Sequence, residues 1–107
     1  MNLCKILRVV DGDTLDVEID LGYHLKTVQR VRLLGLNCAE MKSGGQPAKD
    51  QVAKWVQECG GEAAIMSNKQ DSFGRWLAEI VLLFDRPASL NQMLLHTGLA
   101  LPYRETR

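Results

Sequence analysis

Two arginines, Arg32 and Arg75, and the oxygen-bearing side chains of Asp11, Asp13, Asn37 and Glu40 are the residues of this chain best suited to act together on a charged substrate. A guanidinium keeps its charge at any relevant pH and offers a planar fork of donors that matches phosphate oxygens, so Arg32 and Arg75 suit the clamping of one phosphate. A hard divalent cation such as Ca²⁺ takes ~6 to 8 oxygen ligands. Asp13, Asn37, the Cys38 backbone carbonyl and Glu40 can supply several of them; the Cys38 thiol is a poor match for a hard cation and is expected to pack instead. A cation, two arginines and a carboxylate are the inventory of a phosphodiesterase. Each part also has a plainer reading. "DGDT" is a hairpin turn whose aspartates bond their own backbone, Arg32 can lay its stem along a sheet, Glu40 can be a solvated loop acid, and "FGR" can be an ordinary turn.

The elements that must position these groups can be read from periodicity. Residues 3 to 10 and 14 to 20 flank "DGD", and in the second segment Leu15, Val17 and Ile19 alternate with Asp16, Glu18 and Asp20, the pattern of a half-buried strand. The Asp11-Gly12 pair predicts an antiparallel hairpin between them, and Gly22 a second turn. A third strand is expected from Leu25 to about Gly35, with Arg30 and Arg32 on the face that carries Val28 and Leu34. "MKSGGQ" reads as a loop. Pro47 suits the first turn of a helix whose apolar stripe is Ala48, Val52, Val56 and Cys59, closed by Gly60 and Gly61. "EAAIMSN" and "WLAEIVLLF" read as fourth and fifth strands joined by the turn "KQDSFGR". Ser89, with Gln92 three residues on, opens a second helix that buries Leu90, Met93 and Leu94 and closes at Gly98. A short strand, "LALPY", follows. Trp55 and Trp76 are expected in the core, and His24 and His96 on the surface.

The order of three strands, a helix, two strands and a helix is that of the five-stranded Greek-key barrel called the OB-fold, which binds oligonucleotides or oligosaccharides in many proteins. The expectation is therefore a mainly β domain with two helices, a single unit over residues 1–107. Its 46% hydrophobic and 24% charged residues exclude a disordered chain. Its longest apolar runs exclude a spanning helix, which needs ~20 residues. Thirteen basic residues balance thirteen acidic ones, so net charge does not advertise a polyanionic partner, although converging arginines can make a local cationic site on a neutral molecule. Three cysteines without metal-ligand spacing, and an N-terminus without the features of a secretory signal, read as reduced thiols in a cytoplasmic protein.

Taken in order, "VVDGDT", "RVRLLGLNCAE", "DSFGR" and "LNQMLLHTGLA" resemble the motifs of the staphylococcal nuclease (thermonuclease) family over residues 5 to 103. The resemblance implies a calcium-dependent nuclease that hydrolyses single-stranded or frayed DNA and RNA, as endonuclease or exonuclease, with little sequence specificity. It implies that Asp13 ligates Ca²⁺, that Asp11 and Thr14 shape the metal turn, and that Arg32 and Arg75 hold the scissile phosphate. Glu40 would orient or deprotonate the attacking water and approach the metal through water. Tyr103 falls near an aromatic that stacks a base, and Phe73 stands where the family commonly has tyrosine.

Three departures accompany the resemblance. Asn37 stands where the best-known member has a calcium-ligating aspartate, so one negative charge is lost and weaker calcium binding is expected. Cys38 and Ala39 replace Thr-Pro before the glutamate. The family's usual third helix has no counterpart before Arg107, which leaves room for a dimer or a partner to cover the gap. Two other functions stay open: a non-catalytic nucleic-acid-binding OB module, suggested by Asn37, Phe73 and the neutral charge, and a protein-interaction module.

Overall fold

A computed structural model describes residues 1–38 and 45–103, the side chain of residue 68 apart. The first strand, β1 (Asn2–Asp11), turns through Gly12 and Asp13 into β2 (Thr14–Gly22), and β2 turns into β3 (Leu25–Leu33). After β4 (Leu36–Cys38) and helix α1 (Gln46–Glu58) come β5 (Glu62–Gln70) and β6 (Trp76–Leu82). The chain ends in β7 (Ala88–Ser89), helix α2 (Leu90–Thr97) and β8 (Ala100–Pro102).

Five strands close on themselves. The sheet runs β3-β2-β1-β5-β6-β7, and β3 also pairs with β6 in parallel, Val31 opposite Trp76 and Leu33 opposite Ala78, which closes the first five into a barrel. Closure removes most of the exposed strand edge an open sheet would carry. The fully buried side chains include Leu15 and Val17 from β2, Val31 and Leu33 from β3, and Ile80 and Leu82 from β6. Leu36, Val52, Leu90 and Leu94 join this core from β4 and the helices. Burying each such side chain contributes roughly 1.5–3 kcal/mol, so the alternation in β2 is enough to fix which of its faces turns inward.

The helices form where the periodicity places them. Helix α1 buries Ala48 and Val52, with Trp55, Val56 and Cys59 packed against the core, and Gly60 and Gly61 end it at φ 74° and 77°. Helix α2 is capped by Ser89, whose hydroxyl accepts from the Gln92 N–H, and closed by left-handed Gly98. Its buried stripe contains a polar member. Asn91 is 4% exposed, accepts from the Ile80 N–H and donates to the carbonyls of Leu34 and Ala78. That side chain ties α2 to β6 and to the turn after β3.

Four features differ from the sequence expectations. The third strand stops at Leu33; Gly35 takes φ 83° and the chain resumes as β4, which pairs with β8 in a separate two-stranded sheet. In β1 the pairing register shifts between Ile6 and Arg8, and such a bulge re-aims the side chains that follow. The β2–β3 turn is carried by Tyr23 and His24 at φ 55° and 61° as well as by Gly22. Trp76 is 37% exposed at one mouth of the barrel rather than in the core. The loop expected over residues 41–46 falls, except for Gly45 and Gln46, outside the described residues.

Candidate nucleic-acid interface

The candidate site forms where the β1–β2 turn, the β3–β4 corner and the β5–β6 turn meet. Gly12 lets the first of these pieces approach. It lacks the positive φ of a left-handed turn glycine, and it is space that decides its identity: a Cβ there would lie 2.7 Å from the Ala48 Cβ and 2.9 Å from the Cys38 sulfur. The turn is thus pressed between the first turn of α1 and β4.

Asp13 is held from several directions. Its backbone carbonyl accepts from the Leu33 N–H at 2.8 Å. Its carboxylate accepts from the Thr14 hydroxyl at 3.1 Å and from the Cys38 N–H at 3.1 Å, and stands 4.0 Å from the Arg32 guanidinium. Pairing of Asn37 with Leu101 and Cys38 with Ala100 aligns the other wall.

Arg32 is 8% exposed, in contrast to its neighbour on the same face, Arg30, which pairs at the surface with Asp16 at 2.8 Å. The Arg32 guanidinium donates to the Leu36 carbonyl and to the Asn37 side-chain oxygen. It lies 5.2 Å from the centre of the Tyr103 ring. Tyr103 is kept there by its own N–H, which donates to the Gly35 carbonyl at 2.9 Å.

Arg75 is positioned by Asp71, a residue to which the sequence reading gave no role. One Asp71 carboxylate oxygen accepts from the N–H groups of Phe73 and Arg75, and the other takes the Arg75 guanidinium at 2.8 Å. Burial pushes the Asp71 carboxyl up, but those two N–H groups and the guanidinium outweigh it and hold the group below its ordinary value. An aspartate whose side chain caps its own turn two and four residues on is a local signal that could have revealed this. Phe73 is 82% exposed, and its ring centre lies 5.4 Å from the Arg75 guanidinium.

These pieces line two adjoining cavities that share Arg32, Asn37 and Arg75. One, of about 310 Å³, is completed by Asp11, Asp13, Thr14 and Cys38. The other, of about 210 Å³, is completed by residues 69–73, Leu77 and Tyr103. Lys69 thereby adds a cation that sequence reasoning passed over. Every expected site residue except Glu40 lines one of the two cavities; Glu40 falls outside the described residues. The Cys38 thiol packs against Gly12 and is pushed up to about 12, by burial first and then by the charge of Asp13, so it remains a neutral packing group.

A closed β-barrel with two helices thus presents a cationic, aromatic-flanked recess beside carboxylates. No family model matches the chain. The chain is similar to the Escherichia coli protein called "Protein ParB", with 27% identity over 107 aligned positions. The match takes in 94% of this chain and 56% of that protein, so the chain spans about half the length of its curated relative.

Proposed function

We propose that the barrel is a Greek-key OB-fold of the staphylococcal nuclease kind and that the chain is a phosphodiesterase acting on single-stranded or frayed DNA and RNA. The observation that carries the proposal is the convergence of Arg32 and Arg75, from segments 43 positions apart in sequence, on one recess flanked by Tyr103 and Phe73. Hydrolysis concentrates negative charge on the phosphate oxygens as water adds, so two fixed guanidinium groups stabilise the transition state more than the ground state. Tyr103 and Phe73 offer ring faces to bases, and stacking of this kind is worth roughly 1–3 kcal/mol per base. Glu40 is the proposed general base, a role worth about 10²- to 10⁴-fold in rate.

Asp11, Asp13 and Asn37 bring hard oxygens to the same cavity, which is the donor chemistry Ca²⁺ takes. Among the described residues no three His, Cys, Asp or Glu side chains group closely enough to hold an ion by themselves. The donors fit in kind, and Glu40 and water are the proposed remainder. When bound, Ca²⁺ would supply positive charge that polarises the phosphate and acidifies nearby water. The protein's own residues do the rest: Asp13 shapes the turn, Asp71 aims Arg75, and Asn37 and Tyr103 hold Arg32.

One observation favours a second reading, a nucleic-acid-binding module without cleavage: the Asn37 oxygen is engaged by Arg32. A fluorescently end-labelled single-stranded oligonucleotide, incubated with the chain in millimolar calcium or in EDTA, separates the two. Calcium-dependent cleavage, abolished in Glu40→Ala and in Arg75→Ala, supports the nuclease. Binding without cleavage in both buffers supports the module, and absence of both removes the proposal.

A further inference from the structure

The inward alternation of the barrel strands continues past the packed core. Val17, Leu33 and Ile80 are fully buried; beyond them, at the end where Trp76 stands, the same alternation brings Asn2, Thr27, Gln29 and Ser67 to the lumen side. On β3 the usual order is reversed there. Thr27 and Gln29 face inward and are half-buried, whereas Val28 between them faces solvent and is 59% exposed. A barrel packed to its end would place the valine inside.

These positions bound a third cavity of about 260 Å³, to which all five barrel strands contribute. Its floor is Ile19, Val31 and Ile65, and Trp76 walls one side. It shares no residue with the two cavities of the phosphodiesterase site. The polar groups at its rim are not equally engaged. The Asn2 amide donates to the Asp20 carbonyl, and the Ser67 hydroxyl to the Leu77 carbonyl. The Gln29 amide donates to the Thr27 hydroxyl at 2.9 Å, which holds the two side chains next to each other. Among the described residues nothing donates to the Gln29 side-chain oxygen, and the Thr27 O–H hydrogen meets no acceptor. A positioned acceptor and a positioned donor therefore stand together over an apolar floor.

We propose that this mouth binds an uncharged, planar two-ring heterocycle whose edge carries an N–H beside a C=O, the lactam edge of a hypoxanthine- or guanine-type base. The ring stacks on Trp76, its N–H donates to the Gln29 oxygen and its C=O accepts from the Thr27 hydroxyl. The size agrees: a dry apolar cavity of roughly 150 Å³ takes benzene, and about 260 Å³ leaves room for a second ring. No charged side chain lines the mouth among the described residues, which suits a neutral ring and not a phosphate. An aliphatic side chain from a second copy or another polypeptide would cover the Gln29 oxygen and the Thr27 hydroxyl without pairing them, and burying unsatisfied polar groups is unfavourable. The ring can be free or borne on a nucleic-acid strand. The inference stands apart from the phosphodiesterase reading.

Calorimetric titration of the whole chain with inosine, whose base has this edge, tests it against 1-methylinosine, in which a methyl group replaces the N–H hydrogen. Inosine is expected to bind, with the Gln29 side-chain amide and Trp76 indole signals moving in NMR spectra, and 1-methylinosine to bind at least tenfold more weakly. Trp76→Ala and Thr27→Val, both checked for folding by circular dichroism, should each lower the inosine affinity at least fivefold, whereas Arg75→Ala should leave it unchanged. A single-stranded oligonucleotide carrying one inosine separates the two sources. Affinity above that of the nucleoside, and reduced in Arg75→Ala, assigns a strand-borne base; affinity equal to that of the nucleoside assigns a free one. Absence of inosine binding at millimolar concentration would overturn the proposal, as would equal binding of 1-methylinosine or signal changes confined to the recess of Arg32 and Arg75. So would concentration-dependent dimerisation in sedimentation that Trp76→Ala abolishes, since the mouth would then belong to a second copy.

Discussion

Replacing Gly12 by alanine probes how tightly the β1–β2 turn is pressed into the site. The new Cβ would stand 2.7 Å from the Ala48 Cβ, 2.9 Å from the Cys38 sulfur and 3.2 Å from the Cys38 Cβ. Carbon atoms prefer separations of about 3.5–4.0 Å, so the closest contact is short by roughly 1 Å. Neither neighbour is the free end of a long side chain: Ala48 sits in the first turn of α1, and Cys38 is paired to Ala100 in the β4–β8 ribbon. Backbone must move, and overpacking of this sort costs about 1–3 kcal/mol. Urea unfolding followed by circular dichroism should show the midpoint falling at constant slope. Ala48→Gly, which by itself costs up to about 1 kcal/mol of helix propensity, removes the 2.7 Å clash. In the double variant the two losses should therefore add to less than their sum, by 1 kcal/mol or more. A Gly12→Ala loss below about 0.5 kcal/mol, or strict additivity of the pair, would refute the packing argument and return Gly12 to a role in turn conformation.

Asp71→Asn keeps an oxygen for the N–H groups of Phe73 and Arg75 but removes the charge that faces the guanidinium. Oligonucleotide affinity is expected to drop about tenfold, ~1.4 kcal/mol, in a fluorescence anisotropy titration, and an unchanged affinity would show that Arg75 needs no such anchor. Because the folded Asp71 carboxyl lies below its unfolded value of about 3.9, its contribution to stability is complete above about pH 5 and is lost as pH falls through the folded value. Unfolding midpoints measured between pH 5 and 2.5 should accordingly decline more steeply in the parent than in Asp71→Asn. Asn91→Ala leaves the Ile80 N–H and the carbonyls of Leu34 and Ala78 without their side-chain partner; with ~1–3 kcal/mol for a buried group left unsatisfied, denaturation should report a loss of about 2–4 kcal/mol. Burial raises the Cys4 thiol to about 11 and the Cys38 thiol to about 12, so both should resist iodoacetamide at pH 8 in the folded chain and react once it is unfolded, as peptide mass mapping would show.

The sequence by itself determined what local pattern can determine. Alternation settled the inward face of β2, the capping serine and closing glycine bounded α2, and the stripe of Ala48, Val52 and Val56 oriented α1. It also supplied the inventory of the site, since Asp13, Arg32, Asn37 and Arg75 could be picked out by residue type and by their places at strand ends. Tertiary structure alone decided what each of these groups meets. Arg30 and Arg32 share a face by alternation, yet one pairs with Asp16 at the surface and the other is covered by Asn37 and Tyr103, because β4 and β8 lie over one end of β3 and not the other. Gly12 reads as a turn residue, but its identity is set by Ala48, 36 positions away in the chain. Trp76 has the apolar character of a core residue and stands at a mouth instead, because β3 runs on past the start of β6 and nothing described closes that end. Short-range pattern fixes the side toward which a residue points; what lies on that side depends on which distant segment the closing barrel brings there.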